Sequence, residues 1–153
     1  MKGNMSPIGL TTNVLISHAE MFHGKTEILS VDVKGDRRRT SWGEVGSRSR
    51  KLSSALVKLG LKKGDRVGTI APNTSEHLEL LYAISGFGGV AHTINPRLFP
   101  DEVVYIINHA CDRVLFVDPA YVGILIGHRH LFESVERIYI TGPKQNEIAA
   151  RMN

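Results

Sequence analysis

Thiols are nearly absent: Cys111 is the single cysteine in 153 residues. One thiol excludes an internal disulfide and favours a reducing compartment. Long apolar runs are missing too, and nothing approaches the ~18 consecutive apolar residues of a membrane span. Met1 to Pro7 has no apolar run behind Lys2, so no secretory leader is expected. Neither internal repeats nor low-complexity segments occur, which excludes solenoid and fibrous chains. Basic residues exceed acidic ones only mildly, for a formal charge of +4, and they are scattered. A dedicated nucleic-acid surface would collect them on one face, so no nucleic-acid partner is expected. What remains is a composition of 42% hydrophobic and 22% charged residues, that of one globular unit with a sizeable core.

The patterning divides the chain into short elements. Val14, Leu15, His18, Ala19 and Phe22 recur at helical spacing and predict a buried stripe on a helix over 11–23, with Thr11 or Thr12 as cap. Ile28 to Val33 and Arg37 to Thr40 flank Lys34-Gly35-Asp36 and read as a hairpin. Ser41-Trp-Gly-Glu44 has the form of a capping box, opening a helix that Gly60 and Leu61 close. Arg66 to Ala71 predicts a strand, and Asn73 with Glu76 predicts another capping box for a helix reaching about Ser85. Val90 to Ile94 is the next strand. Pro100 suits the first position of a helix to Ala110, although Phe99 has no capping group. Arg113 to Val117 reads as a strand covered on both faces. A short helix over Tyr121 to Gly127 and a last strand over Ile138 to Thr141 complete the series, and the tail from Lys144 predicts at most a helical turn.

From Arg66 onward strands and helices alternate, which requires crossovers and a parallel sheet. The expected class is therefore α/β: a parallel sheet with helices on its faces, preceded by a β-hairpin. Ligands of such sheets gather beyond the carboxyl ends of the strands. That places Asn95, Pro96 and Arg97, which follow one strand, at the end of interest.

Individual motifs yield no catalytic, cofactor-binding or metal-ligating residue. Gly24-Lys25-Thr26 ends like a P-loop, but the required glycine five positions earlier is Ala19 and the triplet follows a helix. Gly86, Gly88 and Gly89 precede a strand, whereas a dinucleotide fingerprint follows one. Arg37, Arg38 and Arg39 read as a solvated strand, and His92 as a hydrogen-bonded structural histidine. Cys111 is expected half-buried, beside no obvious base. Asp118 reads as a helix cap ahead of Pro119. His128 and His130 lack a third metal ligand nearby.

The wording of Leu81 to Leu98, followed by Val104 to Ala110 and Asp112 to Asp118, resembles the amino-terminal region of AMP-forming medium- and long-chain fatty-acid–CoA ligases. These belong to the adenylate-forming superfamily. The likeness extends through Thr40 to Glu44 and Leu59 to Val67, and in all covers about Leu10 to Thr141. His92, Thr93, Ile94, Asn95, Pro96, Arg97 and Leu98 match a core signature of the group, whose part the resemblance implies to be structural. Two stretches depart from it: Gly127 to Ser134 is richer in histidine and charge, and the tail from Lys144 is too short to compare.

The resemblance implies a two-step reaction using ATP, Mg and CoA. A carboxylate attacks the α-phosphorus of ATP, and the CoA thiolate then displaces AMP. It also implies a phosphate-binding Ser/Thr/Gly loop, an acidic ribose ligand and a mobile lysine, none of which stands in this sequence. Residues 1–153 are thus expected to be an incomplete amino-terminal portion of the ligase domain, inactive alone. A fatty acid and CoA would be partners of the full-length enzyme, and a homo-oligomer is possible through apolar surface left uncovered. The place would be cytoplasmic or peripheral to a membrane. Two alternatives stand beside this: a free-standing α/β binding module without catalysis, and a fragment of a ligase for aryl or other acids.

Overall fold

The structure is a computed structural model, and it describes residues 9–142. The predicted tail from Lys144 lies outside the described residues. Twelve elements follow in order. They are α1 (Thr12–His23), β1 (Glu27–Val31), β2 (Arg37–Ser41), α2 (Trp42–Lys58), β3 (Arg66–Ile70), α3 (Ser75–Gly86), β4 (Val90–Thr93), α4 (Pro100–Ala110), β5 (Val114–Val117), a 3-10 turn (Pro119–Ile124), a second (Arg129–Leu131) and β6 (Arg137–Ile140). Strands β1 and β2 form the expected antiparallel hairpin. The other four make one parallel sheet in the order β4-β3-β5-β6.

Strand periodicity sorts the sheet's side chains onto two cores. Ile70, Leu115 and Val117 point to one face, where Val103 and Ile107 of α4 and Val122 of the 3-10 turn meet them. Val67, Val114 and Phe116 point to the other, against Leu56 of α2 and Leu80 and Ile84 of α3. All four residues of β5 are buried, as a strand sandwiched between helix layers demands. Each fully buried Val, Leu or Ile contributes about 1.5–3 kcal/mol, so these two cores dominate the stability of the unit.

Local chemistry sets the helix ends. Ser41 Oγ accepts the Glu44 N–H at 3.3 Å, and the Glu44 carboxylate accepts the Ser41 N–H at 3.0 Å. That closes the predicted box. Leu61 N–H reaches Leu56 O at 3.2 Å and Gly60 N–H reaches Val57 O at 3.0 Å. Gly60 has φ +91°, and Leu61 folds back into the core, so α2 ends in a Schellman stop. Phe99, which has no capping group, is served by Glu102, whose carboxylate accepts its N–H at 2.9 Å.

Several expectations are corrected. Thr74, rather than Asn73, caps α3: its hydroxyl accepts the His77 N–H. Glu76 is thereby released to pair with Arg38, so Arg38 ties the hairpin to α3 instead of being merely solvated. Arg39 pairs with Glu27 across the hairpin. In place of the helix expected over 121–127, a tighter 3-10 turn spans Pro119–Ile124 and residues 125–127 continue as a turn. Cys111 is exposed, because it ends α4 in the left-handed conformation with φ 54°. The largest correction concerns α1, where Val14, Leu15 and Phe22 face outward. The side turned to α2 and α3 carries Asn13, Ile16 and Glu20, fixed by the Gly86 carbonyl and by Arg50.

Candidate functional site

Strand order locates the site. The chain enters the sheet at β3, winds to β4 on one side, then crosses to β5 on the other. Neighbouring strands β3 and β5 therefore send their following loops in opposite directions, and a crevice opens beyond their carboxyl ends. A cleft of about 480 Å³ lies there. Thr74 and Glu76 line it after β3, Asp118, Pro119 and Ala120 after β5, and Thr141 and Gly142 after β6. The hairpin turn closes the far wall with Asp32, Val33, Lys34 and Asp36.

The polar groups of this cleft are largely committed to holding its loops. One Asp32 carboxylate oxygen accepts the N–H groups of Lys34 and Asp36 at 2.9 and 2.8 Å, which shapes the hairpin turn. Asp118 accepts the Ala120 N–H at 2.9 Å, the capping role predicted for it. Glu76 is paired with Arg38. Asn95, on the loop leaving β4, likewise accepts the Arg97 N–H at 3.0 Å and so stabilises its own turn. Behind the cleft, buried His77 Nε2 lies 3.0 Å from Thr69 Oγ1 and joins the end of β3 to the first turn of α3. Burial pushes the His77 pKa below its ordinary value, against a smaller opposite effect of the Pro72 carbonyl. His77 is therefore neutral at neutral pH.

A second polar constellation lies nearer the amino ends of the strands. His92 Nδ1 stands 2.7 Å from Asp112 Oδ2, and Asp112 is fully buried. Gly68, directly beside His92 in the register, makes the room: a Cβ there would lie 3.0 Å from Asp112 Oδ2. Burial raises the Asp112 pKa, and the hydrogen bond from His92 opposes that rise. His92 is thus the hydrogen-bonded structural histidine expected from the sequence. Its partner was not legible there, because Ala110-Cys111-Asp112 gives no local sign of a contact twenty residues back along the chain. The Thr69–His77 pair was also missed, for the same reason.

These groups do not converge on one point. The described residues facing the cleft supply no nucleophile beside a base. They also do not fit a bound Mg–ATP by themselves. Asp32, Asp36, Glu76 and Asp118 would repel polyphosphate, with Lys34 the one lysine among the lining residues. Gly24-Lys25-Thr26 joins α1 to β1, as its rejection as a P-loop required. No group of three or more His, Cys, Asp or Glu among the described residues is disposed to hold a metal ion. His128 and His130 sit at the second 3-10 turn, and His128 Nδ1–H donates to the Ile126 carbonyl at 3.2 Å. The arrangement can shape one wall of a binding cleft, and it supplies a rigid sheet beneath it.

Comparison with known proteins decides the kinship. The family model described as AMP-binding enzyme matches residues 16–149. The chain belongs to the AMP-binding enzyme family. It is 48% identical over 147 residues to a 3-methylmercaptopropionyl-CoA ligase of Ruegeria lacuscaerulensis, covering 96% of this chain and 27% of that protein. It is 41% identical over 152 residues to a medium-chain-fatty-acid–CoA ligase of Ectopseudomonas oleovorans, covering 99% and 28%. The crystal structure of the anthranilate CoA ligase AuaEII in complex with anthranoyl-AMP superposes with a TM-score of 0.81 at 21% identity, over 99% of this chain and 28% of that one. At that identity the likeness speaks for the fold alone. The chain spans little more than a quarter of the length of these relatives. The parallel sheet, its helix layers and the preceding hairpin accord with the amino-terminal region of adenylate-forming ligases expected from the wording of Leu81 to Asp118. No helix among the described residues is long and apolar enough to cross a membrane.

Proposed function

We propose that this chain forms the amino-terminal scaffold of an AMP-forming acyl-CoA ligase, an acid–thiol ligase that joins an aliphatic carboxylic acid to CoA at the expense of ATP. The observation that supports this best is the continuous match to CoA ligases at 48% and 41% identity over nearly the whole chain. The aliphatic choice follows the substrates those two relatives are named for. Mg–ATP and CoA would be held by parts of such an enzyme other than the cleft wall described above, whose carboxylates are turned against polyphosphate. In this reading the chain's own residues act by position. Thr69 and His77 fix the exit of β3, Asn95 shapes the loop after β4, and Asp118 caps the segment after β5. Catalysis in such a ligase depends on donors held in place before charge develops, and a four-stranded sheet packed by apolar cores on its two faces is suited to hold them.

The test is a chimera. The matching amino-terminal quarter of the Ruegeria lacuscaerulensis enzyme is replaced by this chain, and acyl-CoA formation is measured. Retained ligase activity supports the reading; a folded, inactive chimera overturns it. The 153-residue chain alone is expected to form no acyl-CoA from ATP, CoA and a fatty acid, and product above a no-protein control would contradict that.

A further inference from the structure

We propose that Asp112 is held in the folded protein as the un-ionised acid and donates its proton to His92 Nδ1, making the pair a pH-sensitive latch between the end of α4 and β4 that fixes His92 Nε2 as an outward donor.

The surroundings of the carboxyl oppose a negative charge. Asp112 is 0% exposed. Its Oδ2 lies 2.7 Å from His92 Nδ1, but Oδ1 is buried and has no hydrogen-bond partner among the described residues. An ionised carboxylate shares its charge between both oxygens, so Oδ1 would carry buried charge with no donor to meet it. A neutral acid with its proton on Oδ2 leaves on Oδ1 only an unpaired carbonyl, which costs less. Asp112 also stands just past the carboxyl end of α4, where its N–H donates to the Ile107 carbonyl at 3.2 Å. That end of a helix is the negative pole of its dipole and disfavours an anion. Burial accordingly raises the Asp112 pKa above its ordinary value, against smaller downward effects of His92 and Arg66.

No neighbour among the described residues supplies the missing donor. Arg66, the cation on adjacent β3, gives Nε to the Ala110 carbonyl at 2.6 Å and its two terminal nitrogens to the carbonyls of Gly64 and Cys111, each at 3.2 Å. The space left by Gly68 is shared between Asp112 and the apolar Leu115 side chain of β5. Ser134, ahead of β6, donates at 2.9 Å to the backbone carbonyl of Asp112 and not to its carboxyl. Arg113 is paired with Asp65 and Glu136. His109, in the last turn of α4, is exposed and stacks on Tyr105.

The proton on Oδ2 decides the state of the histidine. Nδ1 is then the acceptor, and the ring proton of neutral His92 sits on Nε2. The His92 side chain is 23% exposed and turns Nδ1 to the buried acid, so Nε2 forms its outer edge. Removal of one proton by base reverses the pair. Oδ2 gives its proton to hydroxide, which becomes water. The imidazole proton moves through solvent from Nε2 to Nδ1, and Nδ1–H donates to the new carboxylate. The outward nitrogen thereby changes from donor to acceptor, and the carboxylate is left with its unmet Oδ1.

The experiment uses the 153-residue chain with carbon-13-labelled aspartate for infrared spectroscopy and nitrogen-15-labelled histidine for NMR. At neutral pH the infrared spectrum should show the C=O band of one un-ionised acid, which Asp112→Asn removes, and His92 should carry its proton on Nε2. Raising the pH should abolish the acid band and move the His92 proton to Nδ1 in the same transition. Asp112→Asn reproduces the neutral acid, with an N–H for His92 Nδ1 and a carbonyl at Oδ1, and holds its hydrogens at no pH-dependent cost. Its urea midpoint at neutral pH should therefore equal or exceed the parent's, with the His92 tautomer unchanged. An ionised Asp112 at neutral pH, an imidazolium or an Nδ1–H tautomer at His92 there, or a folded Asp112→Asn variant less stable than the parent would each overturn the proposal.

Discussion

Alanine at Gly68 would place a methyl group where the sheet admits a buried carboxylate. Its Cβ would lie 2.5 Å from Leu115 Cδ2, 3.0 Å from Asp112 Oδ2 and 3.2 Å from Asp112 Cγ. Neither neighbour has a free way out. Leu115 is 0% exposed and sealed among Ile70, Ile107 and Val117. Asp112 is also 0% exposed, and retreat would lengthen its 2.7 Å contact with His92. Overpacking of a filled core costs about 1–3 kcal/mol, and two immobile neighbours argue for ~2 kcal/mol or more. With a urea m-value of ~2 kcal/mol/M, the unfolding midpoint should fall by about 1 M while the slope stays the same. A variant that truncates one neighbour refines the test. Leu115→Ala alone removes packing and should cost about 2–5 kcal/mol. Combined with Gly68→Ala it should cost clearly less than the two effects added together, because the methyl group then has space. The measurement is equilibrium urea unfolding followed by tryptophan fluorescence and circular dichroism. A Gly68→Ala midpoint within experimental error of the parent, or strict additivity in the double variant, would refute the packing argument.

Three further outcomes follow from the same structure. Ser41→Ala removes one half of the box at the start of α2 and should cost about 1 kcal/mol in urea unfolding; a loss below a few tenths would contradict its role. Asp112 titrates above its ordinary value, so between its unfolded and folded pKa the folded state holds the proton that the unfolded state has released. Stability from this group is therefore greatest in acid and falls as pH rises through that window. Asp112→Asn, compared with the parent at successive pH values, should gain relative stability from acid to neutral pH, and a flat or opposite trend would contradict the burial argument. Asp65 behaves in the other sense: the Lys62 N–H and the Arg113 guanidinium hold its pKa down, so its contribution is present at neutral pH and is lost as pH falls. Asp65→Asn should flatten the acid limb of the stability profile.

Much of the fold was legible because punctuation and periodicity agreed. Val114 to Val117 is an uninterrupted apolar run and became a strand buried on both faces. Ser41 with Glu44, and Gly60 with Leu61, announced both ends of α2 through chemistry that acts over three or four residues. At α1 and at the buried polar pairs the failures share one cause, which is that partners outside the local pattern override it, whereas the α3 cap was a local choice between adjacent residues. In α1 the spacing of Val14, Leu15, His18 and Phe22 is genuinely helical, but Arg50 and Gly86 claim the opposite face through Glu20 and Asn13. At α3, Asn73 and Thr74 are both good caps, and the donor actually taken, His77 N–H, fits Thr74. Asp118 caps the segment after β5 as read from the sequence and lines the cleft, whereas Asn95, on the loop leaving β4, is not among the residues that line it. The pairing of His92 with Asp112, and of Thr69 with His77, depends on strand register and on crossover direction, which no local pattern encodes.

The most direct test of the scaffold assignment is the pyrophosphate release and acyl-CoA yield of the chimera that carries this chain as its amino-terminal quarter. The account predicts a folded enzyme that forms both products from ATP, CoA and an aliphatic acid, with kcat/KM within about a hundredfold of the parent ligase, a loss of no more than ~2.7 kcal/mol in transition-state stabilisation. A chimera that folds with the parent's melting profile yet forms neither acyl-adenylate nor acyl-CoA would contradict it.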